Sequence, residues 1–508
     1  MLRFDLHGDD VAARWRWQDS CWRSGSSWIA PVRSPALCLE SRLGRDATVA
    51  VREIRPGGDF TELTLGADGV VALTAGPLGV APLYVAACGE RLIGSWDPVD
   101  LASFAQPEDL SPAVVTRLLT RRHRYSATTL FSRMTRLTAG ATMQWSRTSG
   151  LRLRYPAPVS HVSKPRRLRP GAEPITHFAT LMNQVVHDAL DGLRGAVAVE
   201  LSGGLDSANV AVSAAARSSG QVFSAGLIVA GRAGLDQEIR RQIIVDHIGL
   251  RDVTVPTNDH LPLAPDGPRT VDRTHYPDTD VYQEAFDALR GRLRAAGARV
   301  VLTGYGGDEI MSRAPAEQAH PSASPRLPPW LDQHARDALA DVDADCSPVT
   351  AVALPTLVVF AARHPAYLRA GLWPIAPFTA PELSRFGRSL PVEWRTAKEL
   401  LRQRLARTGL PTTVTHPRRP ESFAATMNRA LRRHAPALLA DMLERSVLID
   451  CGFVRRTAVE HLHRRARDGG TMPPLVYDML ALDIGIRSMC TAATAGREAS
   501  CASSTPNR

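Results

Sequence analysis

Two short stretches of this chain carry residue types that could do chemistry. The first, "ELSGGLDS" at 200–207, closes an apolar run and opens an alanine-rich segment. Gly203 and Gly204 remove the side chains that would block a close backbone approach, and Ser202 and Ser207 offer hydroxyls. Leu205, Asp206 and Ser207 then begin a helical pattern whose first turn has free N–H groups and a positive dipole end. That combination is an anion cradle. A Walker loop is excluded, because the GxxxxGK[ST] spacing is absent and no lysine follows the glycines. Asp206 stands there instead. A carboxylate inside a phosphate cradle repels its ligand unless a cation lies between them, so Asp206 implies Mg²⁺ bridging to pyrophosphate oxygens. The loop therefore suits release of pyrophosphate better than transfer of a γ-phosphoryl group.

The second stretch, "ARVVLTGYGGDEIM" at 298–311, is again an apolar strand running into a glycine-rich turn with acids. Asp308 is expected to be the second magnesium carboxylate, with a solvated turn acid as the alternative. Glu309 either ligates as well or caps the helix that follows. Tyr305, between Gly304 and Gly306 and followed by Gly307, either projects into a crevice, where a phenol can position or deprotonate an incoming amine, or packs as a plain aromatic.

Both stretches need a parallel sheet behind them. From residue 196 the pattern alternates strand and helix, with "AVAVEL", "DSANVAVSAAARSS", "VFSAGLIVA", "LDQEIRRQIIVDHIG", "RDVTVP", "DVYQEAFDALRGRLRAA" and "ARVVLTG". Such alternation predicts a doubly wound sheet with helices on both faces, whose ligands sit beyond the carboxyl ends of the strands. Residues 47–100 differ, with short runs alternating apolar and polar residues between Gly, Asp and Pro, which predicts antiparallel sheet. The Pro- and Arg-rich stretch 156–174 separates the two patterns. The expected organisation is an N-terminal domain over 1–165, a second domain over 172–490 and a structureless tail over 491–508.

Length and composition agree with two cores and narrow the function. At 508 residues, 44% hydrophobic and 22% charged, the chain is an ordinary globular protein. Its start shows no secretory signal pattern, and the longest apolar run, "VTAVALPTLVVFAA" at 349–362, is broken by Pro355 and reads as a buried helix. Seven cysteines, odd in number and without a CxxC pair, argue against a zinc site and a disulfide framework. A cytoplasmic protein with no membrane partner is expected. The net charge of +10 comes from scattered arginines without interleaved aromatics, so nucleic acid is not the expected partner.

"ELSGGLDS" together with "LTGYGGDEI" resembles the ATP-pyrophosphatase domain of the asparagine synthetase superfamily, which adenylates a carboxylate and passes it to an amine. "GPLGVAPLYVAAC" at 76–88 is similar to the D-x-x-G-x-x-P-L-Y strand of that superfamily's glutaminase-like domain, with Gly76 in place of the opening acid. The tract "GLWPIAPFTAPELSRFGRSLPVEWRTAKELLRQRLARTGLPTTV" resembles the family's later P-F, L-P, K-x-x-L-R and L-P elements. The resemblance implies an α/β protein with an N-terminal glutaminase-like (Ntn-type) antiparallel β-sandwich and a C-terminal adenine nucleotide α-hydrolase-like domain. It also implies ATP and Mg²⁺ as cofactors, with Asp206 and Asp308 as the metal pair. The two glycine-rich turns would bind pyrophosphate, and the backbone of Ala225, Gly226 and Leu227 would read adenine.

Two departures separate family members. The family's ammonia-releasing cysteine has no counterpart at Leu2, and the first cysteine is Cys21. The late R-x-K-E-x-F motif reads "RRPESF" at 418–423, with Pro420 at the lysine position, which leaves Arg418, Arg419 or Lys398 to supply a catalytic cation. The tract "RHPAYLRAGLWPIAPF" at 363–378 is most similar to the lasso cyclase group, and its apolar, aromatic-bearing character fits a groove for a peptide better than a pocket for one small amino acid. That resemblance implies a lasso-peptide macrolactam synthetase acting on a precursor peptide, with a leader peptidase and a leader-recognition protein as partners. The alternatives are a β-lactam synthetase-like or asparagine synthetase-like ligase of small molecules, and a non-catalytic peptide-binding scaffold.

Overall fold

The computed structural model describes residues 2–31, 38–43, 49–54, 59–80, 82–159, 167–193, 195–216, 221–271, 274–278, 280–312 and 327–503. In the first part of the chain the alternating runs pair as expected. A seven-stranded and a six-stranded sheet, antiparallel throughout, are laid face to face. Phe4, Leu6, Ile29, Val85 and Leu92 of one sheet and Leu63, Leu65, Val71, Leu73 and Trp145 of the other form their shared core. This is the expected sandwich.

The second part is a five-stranded sheet, with β1 (Ala196–Glu200), β2 (Val222–Ile228), β3 (Asp252–Pro256), β4 (Ala298–Leu302) and β5 (Trp373–Ile375). Its order is β3-β2-β1-β4-β5 and every pairing is parallel. Around it lie α1 (Leu205–Ala216), α2 (Arg232–Ile248), α3 (Gln283–Ala295), α4 (Leu354–Arg369) and α5 (Glu399–Arg407). The order reverses between β1 and β4, and such a switch point opens the crevice in which doubly wound sheets bind ligands. The two glycine-rich turns follow those two strands.

The expectation for residues 363–378 is corrected. Tyr367, Leu372, Trp373 and Phe378 are each 1% exposed or less. The tract forms the end of α4, the edge strand β5 and the turn after it, so its apolar and aromatic character belongs to the core and not to a groove. The tail expectation is also corrected up to Ser503, since the last helix runs Leu475–Ser503 and buries Ala493, while 504–508 lie outside the described residues. The alanines of "TAATAGREASCA" favour a helix even without an amphipathic pattern.

The N-terminal sandwich does not sit apart from the parallel sheet. Its 76–80 turn places Leu78 and Val80 in the same core as Phe178, Leu357 and Phe360. The carboxylate of Asp59 accepts from Leu78 N (3.1 Å) and Val80 N (3.0 Å). A Cβ on Gly76 would stand 2.3 Å from Asp59 Oδ1, so the acid absent from position 76 is supplied from position 59, and glycine leaves it room. His364 of α4 bonds through Nδ1 to Val80 O, and Arg369 pairs with Asp97 at 2.6 Å.

His364 is 1% exposed and burial pushes its pKa down to about 3, with its hydrogen bond to Val80 opposing. The unfolded chain therefore binds a proton at this position that the folded chain refuses, and stability falls as pH drops through the ordinary histidine range. Between pH 7 and pH 5 this residue alone is expected to cost about 2 kcal/mol. Chemical denaturation at both pH values checks it, since the loss should be smaller by that amount in His364→Gln.

Candidate functional site

The first turn is closed by its own hydroxyls. Ser202 Oγ accepts from Gly204 N (3.1 Å), while Ser207 Oγ accepts from Ser202 N (3.1 Å) and donates to Gly204 O (3.2 Å). This shapes the loop so that Leu205, Asp206 and Ser207 form the first turn of α1, with the helix's free N–H groups at its open end. Leu205 itself points into the core, so only its backbone faces a ligand.

The second turn packs directly on the first. A Cβ on Gly304 would lie 3.0 Å from Ser207 N, and one on Gly307 would lie 2.4 Å from Asp206 Oδ1. Only glycine lets the two loops approach this closely. The result is a cavity of about 320 Å³ bordered by Ser202, Gly204, Asp206 and Ser207 from one loop and by Gly304, Tyr305, Gly306, Asp308 and Glu309 from the other. Gly226 and Leu227 line it from β2, whereas Ala225 is buried beneath, its carbonyl accepting from Leu201 N.

Asp206 and Asp308 converge on one cation, the ammonium of Lys398, which lies 2.6 Å from Asp308 Oδ1 and also bonds Asp206 Oδ2. Burial pushes the Asp206 carboxyl up to about 6, against the pull of Lys398. Burial also disfavours the charge on Lys398, but the two carboxylates outweigh it and hold its pKa above the ordinary lysine value. Asp206 Oδ1 is buried without a hydrogen-bond partner. A pair of carboxylates holding a cation, with one oxygen unspent, fits a hard divalent ion. Among the described residues no group of three or more metal-ligating side chains exists, so phosphate oxygens would have to complete the shell.

Of the three candidate cations, the structure brings Lys398 to the carboxylates and leaves the other two outside. Arg418 and Arg419 are exposed, and Arg419 pairs with Asp236 at 3.3 Å. Tyr305 is half-buried, and its hydroxyl accepts from Arg363 Nη1 at 2.6 Å. Burial raises its pKa to about 12, with Arg363 opposing and Glu200 adding to the rise. Such a phenol stays protonated at neutral pH, so it can position a reactant but not take its proton.

Several residues at this site escaped sequence reasoning. Gln237 of α2 donates to Ser202 O (2.8 Å) and Leu227 O (3.0 Å), tying the first loop to the end of β2. Arg240, one helical turn on, reaches Gly203 O and pairs with Glu421 at 2.6 Å. Phe423 lines the cavity and stacks on Tyr282 with ring centroids 4.2 Å apart. Glu200 and Arg363 line it from β1 and α4. Gln237, Arg240, Glu200 and Arg363 are single polar residues in regular elements, Phe423 directly precedes a helix, and no local spacing marks their roles.

A parallel sheet with paired glycine-rich turns and a carboxylate pair at its switch point defines a nucleotide-binding domain. Residues 177–356 match the family model described as asparagine synthase, which spans β1, β2, β3, β4 and both loops. The match supports the asparagine synthetase superfamily for this domain, and with it ATP-dependent formation of an amide bond. No curated protein matches the chain.

If Asp206 and Asp308 form a cation site, Asp206→Asn should weaken Mg·ATP binding at least about tenfold, a loss of roughly 1.4 kcal/mol. ATP without Mg²⁺ should bind the variant no worse than the parent, because one negative charge facing the phosphates has gone. Titration calorimetry with and without a chelator separates the two.

Proposed function

We propose that this protein is an adenylating amide ligase whose amine comes with the substrate, and that the substrate is a precursor peptide closed into a macrolactam, as in lasso-peptide biosynthesis. The observation that carries the adenylation is the convergence of the two turns and their acids on one cation at the switch point. The amine source rests on the sandwich. Leu2, in the first strand, carries no nucleophile, and the Cys21 thiol is buried and bonded to Gln18 O, which supports an amine brought by the substrate.

In this reading the N–H groups at the start of α1 hold the phosphates of ATP, aided by the helix dipole. A divalent ion held by Asp206 and Asp308 would offset the charge of the departing pyrophosphate. A side-chain Asp or Glu carboxylate of the peptide attacks the α-phosphorus, giving an acyl adenylate and pyrophosphate. Lys398 is the ammonium available near the phosphates in a chain whose motif carries Pro420. The peptide's own N-terminal amine then displaces AMP. Holding both ends in one site makes this step effectively unimolecular, an advantage of up to about 7–11 kcal/mol. A leader peptidase and a leader-recognition protein would deliver the peptide. Arg418 and Arg419 border the site from outside and are not assigned a step.

Mass spectrometry of full-length protein with ATP, Mg²⁺ and leader-free precursor should show loss of one water per peptide. One AMP and one pyrophosphate should form per ring, and none should form from glutamine. Acetylating the peptide's N-terminus should stop ring closure but not adenylation. Equal cyclisation of the acetylated peptide would refute the macrolactam reading, and acceptance of a small β-amino acid in place of any peptide would make the protein a small-molecule ligase.

A further inference from the structure

Amide formation from an acyl adenylate needs a group to take a proton from the attacking nitrogen, and the residues considered so far do not supply it. Asp206 and Asp308 are held by a cation, Lys398 here, Glu421 by Arg240, and the Tyr305 hydroxyl by Arg363, while Glu309 sits beside Asp308 on the phosphate-side loop. We propose that Glu200 is that proton acceptor, held in place by Tyr367. The assignment rests on the amide-ligase reading above and names the residue that completes its second step.

Glu200 ends β1, two residues after Ala198, so by strand alternation both side chains leave the same face of the sheet. Ala198 on that face packs against the α3 and α4 layer, while Val199 and Leu201 enter the opposite core. Glu200 lines the cavity, between the phosphate-side loop and the Tyr305–Arg363 pair. Its Oε1 accepts from the hydroxyl of Tyr367, which is fully buried under the guanidinium of Arg290. Arg363 and Tyr367 are four residues apart on α4, so one helical face fixes both Tyr305 and Glu200. Its hydrogen-bond partner is a phenol, which leaves Glu200 able to take up a proton. Burial, opposed by the Tyr367 hydrogen bond and by the charges of Arg363 and Arg290, raises its pKa above the ordinary carboxylate value and makes it a stronger base when ionised.

The step balances without another reactant. The neutral amine's lone pair forms the C–N bond, the acyl C–O bond to phosphate breaks, and AMP leaves with that electron pair. The proton shed by the nitrogen passes to Glu200 and from there to water.

The test uses full-length protein, ATP, Mg²⁺ and synthetic peptides with a free N-terminal amine and one internal Asp or Glu. Glu200→Gln should retain ATP–pyrophosphate exchange within about threefold, while single-turnover ring closure falls about 100-fold, the scale of general-base catalysis. The residual closure should climb with pH where the parent levels off. Hydroxylamine, a weakly basic nucleophile whose adduct sheds its proton to water without a general base, should trap the adenylate as a hydroxamate at similar rates in both proteins. Tyr367→Phe should give a smaller closure defect of the same kind. Ring closure at the parental rate in Glu200→Gln overturns the assignment. Equal loss of exchange and closure also overturns it, by showing a structural role. If Glu309→Gln alone shows the split, the acceptor is Glu309 and the assignment is wrong. Absence of exchange in the parent with every peptide removes the ligase reading itself, and is told apart because no substitution is involved.

Discussion

A buried carboxylate with a second carboxylate facing it holds its charge only against a cation, and much of this structure follows from that constraint on Asp206. Asp206 comes from the loop after β1, Asp308 from the loop after β4, and Lys398 from the start of α5. Their meeting ties three distant segments together at the switch point of the sheet. The cost is visible in the backbone. Ala397 and Lys398 both have φ in the left-handed region, at 51° and 58°, and neither is glycine. Each such residue costs about 1–2 kcal/mol, and this conformation sets the ammonium on both acids. A phosphate-bound cation would meet the same need.

The N-terminal sandwich is bound into this arrangement mechanically. Its 76–80 turn fills the core behind α4, Asp97 anchors the end of that helix through Arg369, and Tyr155 bonds Asp345 in the connection that follows β4. Helix α4 in turn carries Arg363 and Tyr367, which border the cavity or hold groups that do. Losing the sandwich would expose this core and loosen the helix. The sandwich thus contributes to the shape of the site through these contacts.

Much of this could be read from the chain before its fold was known, because strand, glycine-rich turn and helix follow one another within about ten residues and their chemistry is local. Asp206, Asp308 and both turns were legible for that reason. The peptide-groove reading of residues 363–378 failed because a short apolar, aromatic run has no periodicity that separates a buried edge strand from a binding wall. Arg418 and Arg419 stand next to the departed motif in sequence, yet Lys398, about twenty residues earlier, is the one that reaches the acids. Glu200, Gln237 and Arg240 carried no local signal, since each gains its role only when another element packs against it.

The central claim is that a carboxylate attacks the α-phosphorus of ATP in this crevice. Transfer of ¹⁸O from a labelled peptide carboxylate measures that directly. The account predicts one labelled oxygen in AMP for each amide formed and none in inorganic phosphate. Label in inorganic phosphate, with ADP as the nucleotide product, would mean an acyl phosphate and would contradict it.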